Sequence, residues 1–212
     1  VLSINGGTVP TTPTNPTTPT NPNPPPNNAP ISGFEVGGHV IGNYPSDAMR
    51  QSGMTWAKRQ IRWSQGTPAS NFQGEIDAAH NNGFRVLLSV VGDHNQLAAN
   101  PAQYYQEFAQ FLGGLAAGGA DAIEVWNEMN LEREWPRGRI NPQSYVDMLS
   151  QAYTSIKAVN PNVMVITGAL APTGAEGAFG SDRVWNDDRY TQGMVSAGAA
   201  DYADCNDSER VD

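Results

Sequence analysis

The sequence places an amide and a carboxylate side by side where an apolar run ends, at Asn127 and Glu128. A carboxyl group can give a proton to a substrate and take it back, and a neighbouring amide can hold a hydroxyl group by hydrogen bonding. Polar side chains end other apolar runs in the same way, at His39, Arg62 and His94. Together these side chains fit a site for a polyhydroxylated substrate.

Each of these residues also has a purely structural interpretation. Arg62 could pair with a neighbouring carboxylate, and His39 and His94 could support the side chains that touch a substrate. Glu128 could cap the loop that follows it, and Asp93, which comes after a glycine, fits an ordinary turn as well as a site. The residue types alone leave these alternatives open.

The elements that must position these side chains are short apolar runs alternating with longer amphipathic segments. Strands are predicted over residues 33–42, 55–63, 84–92, 122–128 and 163–169, with a sixth beginning at 200–205. Helices are predicted over residues 45–52, 69–82, 101–115, 142–159 and 187–198. This alternation predicts an α/β fold with buried parallel strands.

The missing nucleotide-binding motifs favour one α/β architecture over another. Neither GxGxxG nor GxxxxGK[ST] follows a predicted strand, so a nucleotide-binding doubly wound sheet lacks its usual signal. A (β/α)8 barrel is the better candidate, and in that fold the carboxyl ends of the strands carry the chemistry. The polar residues that end the predicted strands therefore converge on one face of the barrel.

The segment AIEVWNEMNLEREW resembles the acid/base signature of clan A glycoside hydrolases, in which an Asn-Glu pair ends the fourth barrel strand. The arginine that ends KRQIR, Arg62, is similar to the one that these enzymes place beside their nucleophile. The resemblance extends over residues 33–205, to bacterial cellulase-like and β-xylosidase-like barrel domains. It implies hydrolysis of O-glycosidic bonds in a β-linked polysaccharide or glycoside by a retaining mechanism, with no cofactor and no metal ion.

The resemblance also implies roles for particular residues. Glu128 would be the general acid and then the general base, and Asn127 would hydrogen-bond the sugar 2-hydroxyl. From their places at the ends of predicted strands, Arg62, His39 and His94 are expected to contact the carbohydrate substrate. The aromatic residue expected at an exposed sugar-stacking subsite is Trp135, with Trp63 as a further candidate and Trp126 expected to point into the core.

The chain departs from this family at its carboxyl-terminal part. The family's nucleophile is a glutamate at the end of the seventh strand, whereas we count about five complete βα units and part of a sixth strand. The last residues, NDSERVD, are polar, and Glu209 has no context that suggests a nucleophile. We therefore expect an incomplete barrel that is inactive alone and self-associates through its open edges.

Two other function classes compete with hydrolysis. The first is a non-catalytic carbohydrate-binding fragment, or an inactive truncated product, that uses the same cleft without a nucleophile. The second is a lyase or isomerase barrel, which would need metal ligands or a lysine base at the strand ends. The only lysines, Lys58 and Lys157, do not end predicted strands, so this class ranks lowest.

The composition of the amino-terminal part indicates a linker. Residues 1–30 contain no charged residue and no histidine, and they hold 9 of the 16 prolines. Residues 10–30 are predicted to be an extended Pro/Thr/Asn-rich linker, after residues 1–9 from the end of an upstream module. The barrel domain would then span residues 31–212. Such linkers are common in secreted bacterial proteins, so an extracellular location is expected.

Charge and residue counts exclude several other classes. The net charge is −9 with no basic cluster, which argues against nucleic-acid binding. No apolar window of 18 or more residues exists, so no membrane span is predicted. The single cysteine, Cys205, excludes an internal disulfide, and the three histidines are not spaced as metal-ligand pairs.

Overall fold

The structure is a computed structural model that describes residues 34–206. Its centre is one parallel sheet of six strands, in which every strand pairs with the next one along the chain. In this order the strands are β1 (Gly37–His39), β2 (Trp56–Arg62), β3 (Arg85–Val91), β4 (Ala122–Val125), β5 (Met164–Thr167) and β6 (Cys205–Asn206).

Helices connect the strands and cover the outer face of the sheet. They are α1 (Ser46–Gln51), α2 (Gln73–Asn81), α3 (His94–Ala99), α4 (Pro101–Ala117), α5 (Pro142–Val159), α6 (Glu176–Phe179) and α7 (Asp187–Ser196). Two 3-10 helices add to these, at Ala69–Phe72 before α2 and at Ala199–Tyr202 before β6. The first five strands pair in chain order and are each followed by at least one helix, and β6 adds a sixth strand, as in the first part of a (β/α)8 barrel.

The two longest helices begin where the sequence supplies strong start signals. Asn100 and Asn141 are the N-cap residues, and their side chains accept hydrogen bonds from the backbone N–H groups of Gln103 and Gln143. Proline follows each cap at the first helical position, where its missing N–H group costs nothing. Caps of this kind fix the residues at which α4 and α5 begin.

The core lies between the outer face of the sheet and the helices. Alternate strand residues point outward and are fully buried there, including Leu88, Val90, Ile123, Val125 and Val165. A row of aromatic rings continues this core towards the carboxyl ends of the strands. The rings of Trp63, Phe108, Trp126 and Trp135 contact one another in sequence, with centroids 5.3–5.5 Å apart.

The predicted fold class and strand order are confirmed by this sheet. The prediction of a sixth strand starting at residue 200 was wrong, because residues Ala199–Tyr202 form a 3-10 helix and β6 begins only at Cys205. The helices α3 and α6 were not predicted, since both are too short to show helical periodicity.

Of the proposed domains, residues 1–9 and 10–30 lie outside the described residues. In the part of the chain that the structure describes, no helix has the length and apolarity needed to cross a membrane.

Candidate active site

The carboxyl end of β4 turns sharply just before the Asn-Glu pair. Trp126 and Glu128 both have positive φ angles, of 74° and 51°, a conformation that side-chain-bearing residues rarely adopt. Neighbouring strand ends make room for the turn with glycine. A Cβ atom on Gly92 would lie 2.4 Å from the Trp126 ring, and one on Gly168 would lie 2.6 Å from the Trp126 carbonyl oxygen. Because both glycines lie so close to Trp126, its side chain can enter the core. The next two residues, Asn127 and Glu128, then lie at the rim, by which we mean the edge formed by the carboxyl ends of the strands.

Glu128 is held at this rim by its backbone and by its side chain. Its N–H group donates to the carbonyl oxygen of Ala169, at 2.7 Å, which ties the turn to the end of β5. Its side chain is 18% exposed, and Oε2 accepts a hydrogen bond from Nη2 of Arg133. The second carboxylate oxygen makes no hydrogen bond to another described residue. Glu128 is therefore a partly shielded carboxylate that is hydrogen-bonded through one oxygen.

A second ion pair lies beside the first one. Arg62, the last residue of β2, donates from Nη2 to Oε1 of Glu134 at 3.1 Å and from Nη1 to Oε2 at 3.3 Å. Arg133 interacts electrostatically with both carboxylates. Hydrogen bonding to Glu128 raises the pKa of the Arg133 guanidinium, and the charge of Glu134 raises this pKa further. The rim thus carries four side chains of alternating charge, and their net charge is zero.

Asn127 and His94 lie at the same end of the sheet as Glu128. Asn127 is partly exposed, and its amide makes no hydrogen bond to any other residue in the range 34–206. His94 is the first residue of α3, directly after β3, and is also partly exposed. Asp93 caps α3 by accepting hydrogen bonds from the N–H groups of Asn95 and Gln96 at 2.8 and 3.2 Å. Asp93 therefore has a structural role as the N-cap residue of α3.

The structure does not bring His39 to this rim. His39 pairs in register with Lys58, four residues before Arg62 in β2, because the chain leaves the sheet soon after His39. It lines a cavity of about 450 Å3 on the inner face of the sheet, together with Lys58 and Ala122. Partial burial lowers the pKa of His39, and the charges of Lys58 and Arg59 lower it further, so the imidazole is neutral at pH 7.

The prediction that Trp135 forms an exposed stacking subsite was wrong. Trp135 is 1% exposed, and its ring packs edge-on against Trp126 and Tyr145. Its indole N–H donates to the carbonyl oxygen of Arg139 at 3.0 Å, so the turn after it is fastened to the core. Trp63 is equally buried, at 2% exposure. Both rings support the rim from below and cannot reach a sugar.

Residues that sequence reasoning missed fasten the rim loops together. Asn130 is fully buried, and its amide donates to the carbonyl oxygens of Ala171 and Trp185, at 2.9 and 3.0 Å. Its Oδ1 accepts from the N–H group of Ala171 at 2.9 Å. A short antiparallel bridge between Leu131 and Val184 continues the contact. The loop after β4 and the loop after β5 are thereby joined into one wall.

One sequence signal pointed to part of this wall. The segment from Asn130 to Trp135 alternates acidic and basic residues directly after the Asn-Glu pair, which indicates ion pairing near a carboxylate. It did not reveal that Arg133 would reach Glu128 or that Glu134 would reach Arg62. Those pairings depend on the loop conformation.

Below the rim, the inner face of the sheet holds a buried ion pair. Lys58 Nζ lies 2.5 Å from Oε2 of the fully buried Glu124, and the Ser89 hydroxyl donates to Oε1 of Glu124 at 3.1 Å. Within the described ranges, no group of three or more His, Cys, Asp or Glu side chains is placed to hold a metal ion. At the rim, the described side chains include the carboxyl group of Glu128, the amide of Asn127 and two arginines that pair with carboxylates.

Comparisons with known proteins bear on the fold. No family model matches the chain, and no curated protein matches it. Among solved structures, the chain is similar to a GH5-4 broad specificity endoglucanase from Clostridium longisporum, with a TM-score of 0.51 and 12% identity over 84% of this chain and 72% of that one. It is also similar to a β-1,4-D-mannanase from Cryptopygus antarcticus, with a TM-score of 0.50 and 10% identity over 77% of this chain.

These two likenesses confirm the resemblance to barrel glycoside hydrolases at the level of the fold. The part of the mannanase that is covered amounts to 58% of its length. The described residues correspond to a partial (β/α)8 barrel.

Proposed function

We propose that this chain carries the acid/base half of a retaining glycoside hydrolase site that acts on a β-linked polysaccharide or glycoside. The observation that supports this most is the place of Glu128, which stands partly shielded on a positive-φ turn at the carboxyl end of β4. Asn127 and Arg62 lie at the same end of the sheet. The fold likeness to an endoglucanase and a mannanase supports a glycan as the substrate class.

The chemistry assigned to Glu128 proceeds in two steps. In the first, Glu128 gives its proton to the glycosidic oxygen while the bond from that oxygen to the anomeric carbon breaks and a carboxylate attacks the carbon. In the second, Glu128 removes a proton from water, and the water oxygen replaces the carboxylate. Asn127 would hold the 2-hydroxyl group of the sugar, an interaction that strengthens as positive charge develops on the ring.

The attacking carboxylate is, in this proposal, absent from the chain. Glu134, the other carboxylate at the rim, is bound through both oxygens to Arg62 and stands on the same loop as Glu128. The nucleophile belongs to the opposite side of the sugar from the acid. The chain alone is therefore expected to bind glycans without hydrolysing them.

Chemical rescue tests this division of roles. We expect the chain to leave aryl β-glycosides intact, and we expect added formate or azide to restore turnover by replacing the missing carboxylate. With azide, the product should be the α-glycosyl azide, because the small anion attacks from the face opposite the leaving group. Glu128→Gln should abolish the rescued reaction for substrates whose leaving group needs a proton.

The controls separate the competing functions. Asp93→Asn alters a carboxylate that caps α3 and does no acid/base work, so rescued turnover should persist. Oligosaccharide binding without any rescue would favour the alternative, a non-catalytic carbohydrate-binding fragment. Robust turnover without an added anion, lost in Glu128→Gln, would show that the nucleophile lies within the chain.

Two further properties belong to this proposal. The Pro/Thr/Asn-rich composition of residues 10–30 supports a secreted bacterial protein in which a linker carries the barrel domain.

The edge strands β1 and β6 support self-association, since Phe34 and Ile41 flank β1 with exposures of 93% and 87%. Light scattering should show oligomers that diminish in a Phe34→Lys/Ile41→Lys variant and persist in Val195→Lys, which changes an exposed residue of α7. A monodisperse monomer would refute self-association.

A further inference from the structure

The exposed aromatic residue nearest to the rim is Phe179, at the end of α6. Its side chain is 58% exposed, whereas the tryptophans of the rim, Trp126 and Trp135, are buried. It lines a cavity of about 290 Å3 whose other walls are the loop after β4 and the loop after β5. That volume is at the lower end of the range for small-molecule sites, which begins at about 300 Å3.

The cavity and the Glu128 site share one side chain. Arg133 lines it and also donates to Glu128 Oε2. A ligand that extends from Glu128 along the rim would therefore enter this cavity next.

The walls of the cavity combine an aromatic face with planar polar groups. Arg183 lies over the Phe179 ring, with its guanidinium carbon 5.7 Å from the ring centroid, and donates from Nε to Oε1 of Glu132 at 2.7 Å. That hydrogen bond lowers the pKa of Glu132, so its carboxylate is an acceptor at neutral pH. Thr173 also lines the cavity, and its hydroxyl oxygen accepts a hydrogen bond from the N–H group of Ala175 at 3.1 Å. Arg183 lies over one face of the Phe179 ring, so the stacking surface is the face that remains exposed. An exposed apolar ring face beside fixed donors and acceptors is the combination that binds a sugar ring.

The walls are also preformed. The Glu132 N–H group donates to the Arg183 carbonyl oxygen at 2.8 Å, and Leu131 pairs with Val184 in an antiparallel bridge. A rigid cavity loses little entropy when a ligand binds. Its arginines have carboxylate partners, since Arg183 pairs with Glu132 and Arg133 with Glu128, so the cavity suits an uncharged ligand.

We propose that this cavity is a binding subsite for a neutral sugar unit of a β-linked oligosaccharide, with Phe179 as its stacking surface. The proposal rests on the proposed function, because it extends the Glu128 site by one sugar unit. Arg183 and Glu132 hydrogen-bond the hydroxyl groups of that unit, and Arg133 marks the boundary with the reacting sugar.

Calorimetric titration with manno- and cello-oligosaccharides of two to five units tests the subsite. Phe179→Ala should weaken the binding of the longest ligands at least about tenfold, and Phe179→Trp should retain or improve it. Phe34→Ala, which removes a more exposed ring that lies before β1, should leave the affinity unchanged. Phe179 lies outside the core, so circular dichroism of all three variants should match that of the parent chain.

The outcomes distinguish this proposal from the proposed function. If Phe179→Ala binds like the parent while Asn127→Ala binds weakly, the subsite is refuted and the Glu128 site stands. If Phe179→Ala binds weakly while Asn127→Ala binds like the parent, the subsite stands and the role of Asn127 fails. Tighter binding of oligogalacturonate than of neutral ligands, or no binding of any oligosaccharide, would overturn the subsite.

Discussion

Arg62 and Glu134 form an ion pair with two parallel hydrogen bonds, at 3.1 and 3.3 Å, that joins the end of β2 to the loop after β4. The Arg62 side chain is 63% exposed, so solvent weakens the ion pair, which contributes less than about 1 kcal/mol to folding. Its geometry nevertheless depends on arginine, because a lysine ammonium cannot bridge both carboxylate oxygens. The pair therefore matters more for the shape of the rim than for stability.

Replacing Arg62 by lysine separates these two effects. We expect the free energy of unfolding to change by less than about 1 kcal/mol, while formate-rescued turnover falls at least about tenfold as the rim loses its bidentate contact. Urea unfolding and the rescue assay measure the two quantities. Arg50→Lys is the control, since Arg50 pairs with Asp47 on α1, away from the rim. Equal losses of turnover in both variants would contradict the prediction.

Removing the buried amide of Asn130 should destabilise the protein. Asn130→Ala leaves three backbone groups without a partner in a site where the side chain is fully buried. Each buried unpaired group costs about 1–3 kcal/mol, so we expect a loss of at least about 2 kcal/mol in the free energy of unfolding. Asn95→Ala, at an exposed position of α3, should change it by less than about 0.5 kcal/mol. Similar values for the two variants would contradict the view that the Asn130 amide holds the two loops together.

Gly92 is required for the packing of Trp126. A Cβ atom there would lie 2.1 Å from the Tyr104 hydroxyl and 2.4 Å from the Trp126 ring, so Gly92→Ala should destabilise the fold by about 1–3 kcal/mol. Tryptophan fluorescence should change as the ring is displaced. Gly74→Ala, within α2, meets nothing within 4 Å and should instead stabilise the helix by up to about 1 kcal/mol. Tolerance of Gly92→Ala would mean that Trp126 does not occupy this position.

Alkaline pH should unfold the protein through its buried tyrosines. Burial raises the pKa of Tyr105 to about 12 and raises the pKa values of Tyr104, Tyr145 and Tyr190 as well. In the unfolded chain these phenols ionise near pH 10. The unfolded state therefore gains stability from pH 10 upward while the folded state stays protonated, so the free energy of unfolding should fall between pH 10 and about 12.

Unfolding experiments at several pH values and phenolate absorbance measure this effect together. In Tyr105→Phe the decline over the same pH window should be shallower, because one titrating group is gone. Full phenolate absorbance near pH 10 with circular dichroism still native would contradict the prediction.

The sequence was informative wherever a property is local. The run of apolar residues ending in Asn127 and Glu128 predicts both a buried strand and a polar group at its carboxyl end, and β4 with its rim residues matches this. The prolines and asparagines that begin α4 and α5 likewise act within one turn of helix. These features need no knowledge of the rest of the chain.

Properties that depend on register or on loop conformation could not be predicted. His39 ends its strand as Arg62 does, but β1 pairs only with the first half of β2, and this offset removes His39 from the rim. Trp135 belongs to a polar loop in the sequence, yet that loop folds back so that the ring packs on Trp126. Phe179 follows no strand directly and carried no sequence signal.

The hydrogen bonds by which Asn130 joins the loop after β4 to the loop after β5 also affect how such a barrel can be re-engineered. Asn130 stands on the loop after β4 and bonds backbone groups of the loop after β5, so exchanging the first loop alone would leave those backbone groups unmatched, and exchanging the second alone would leave the Asn130 amide unmatched. The two loops therefore need to be exchanged together. Variation in what the rim recognises is therefore expected to come from swapping both loops at once, with Asn130 retained as the fixed joint between them.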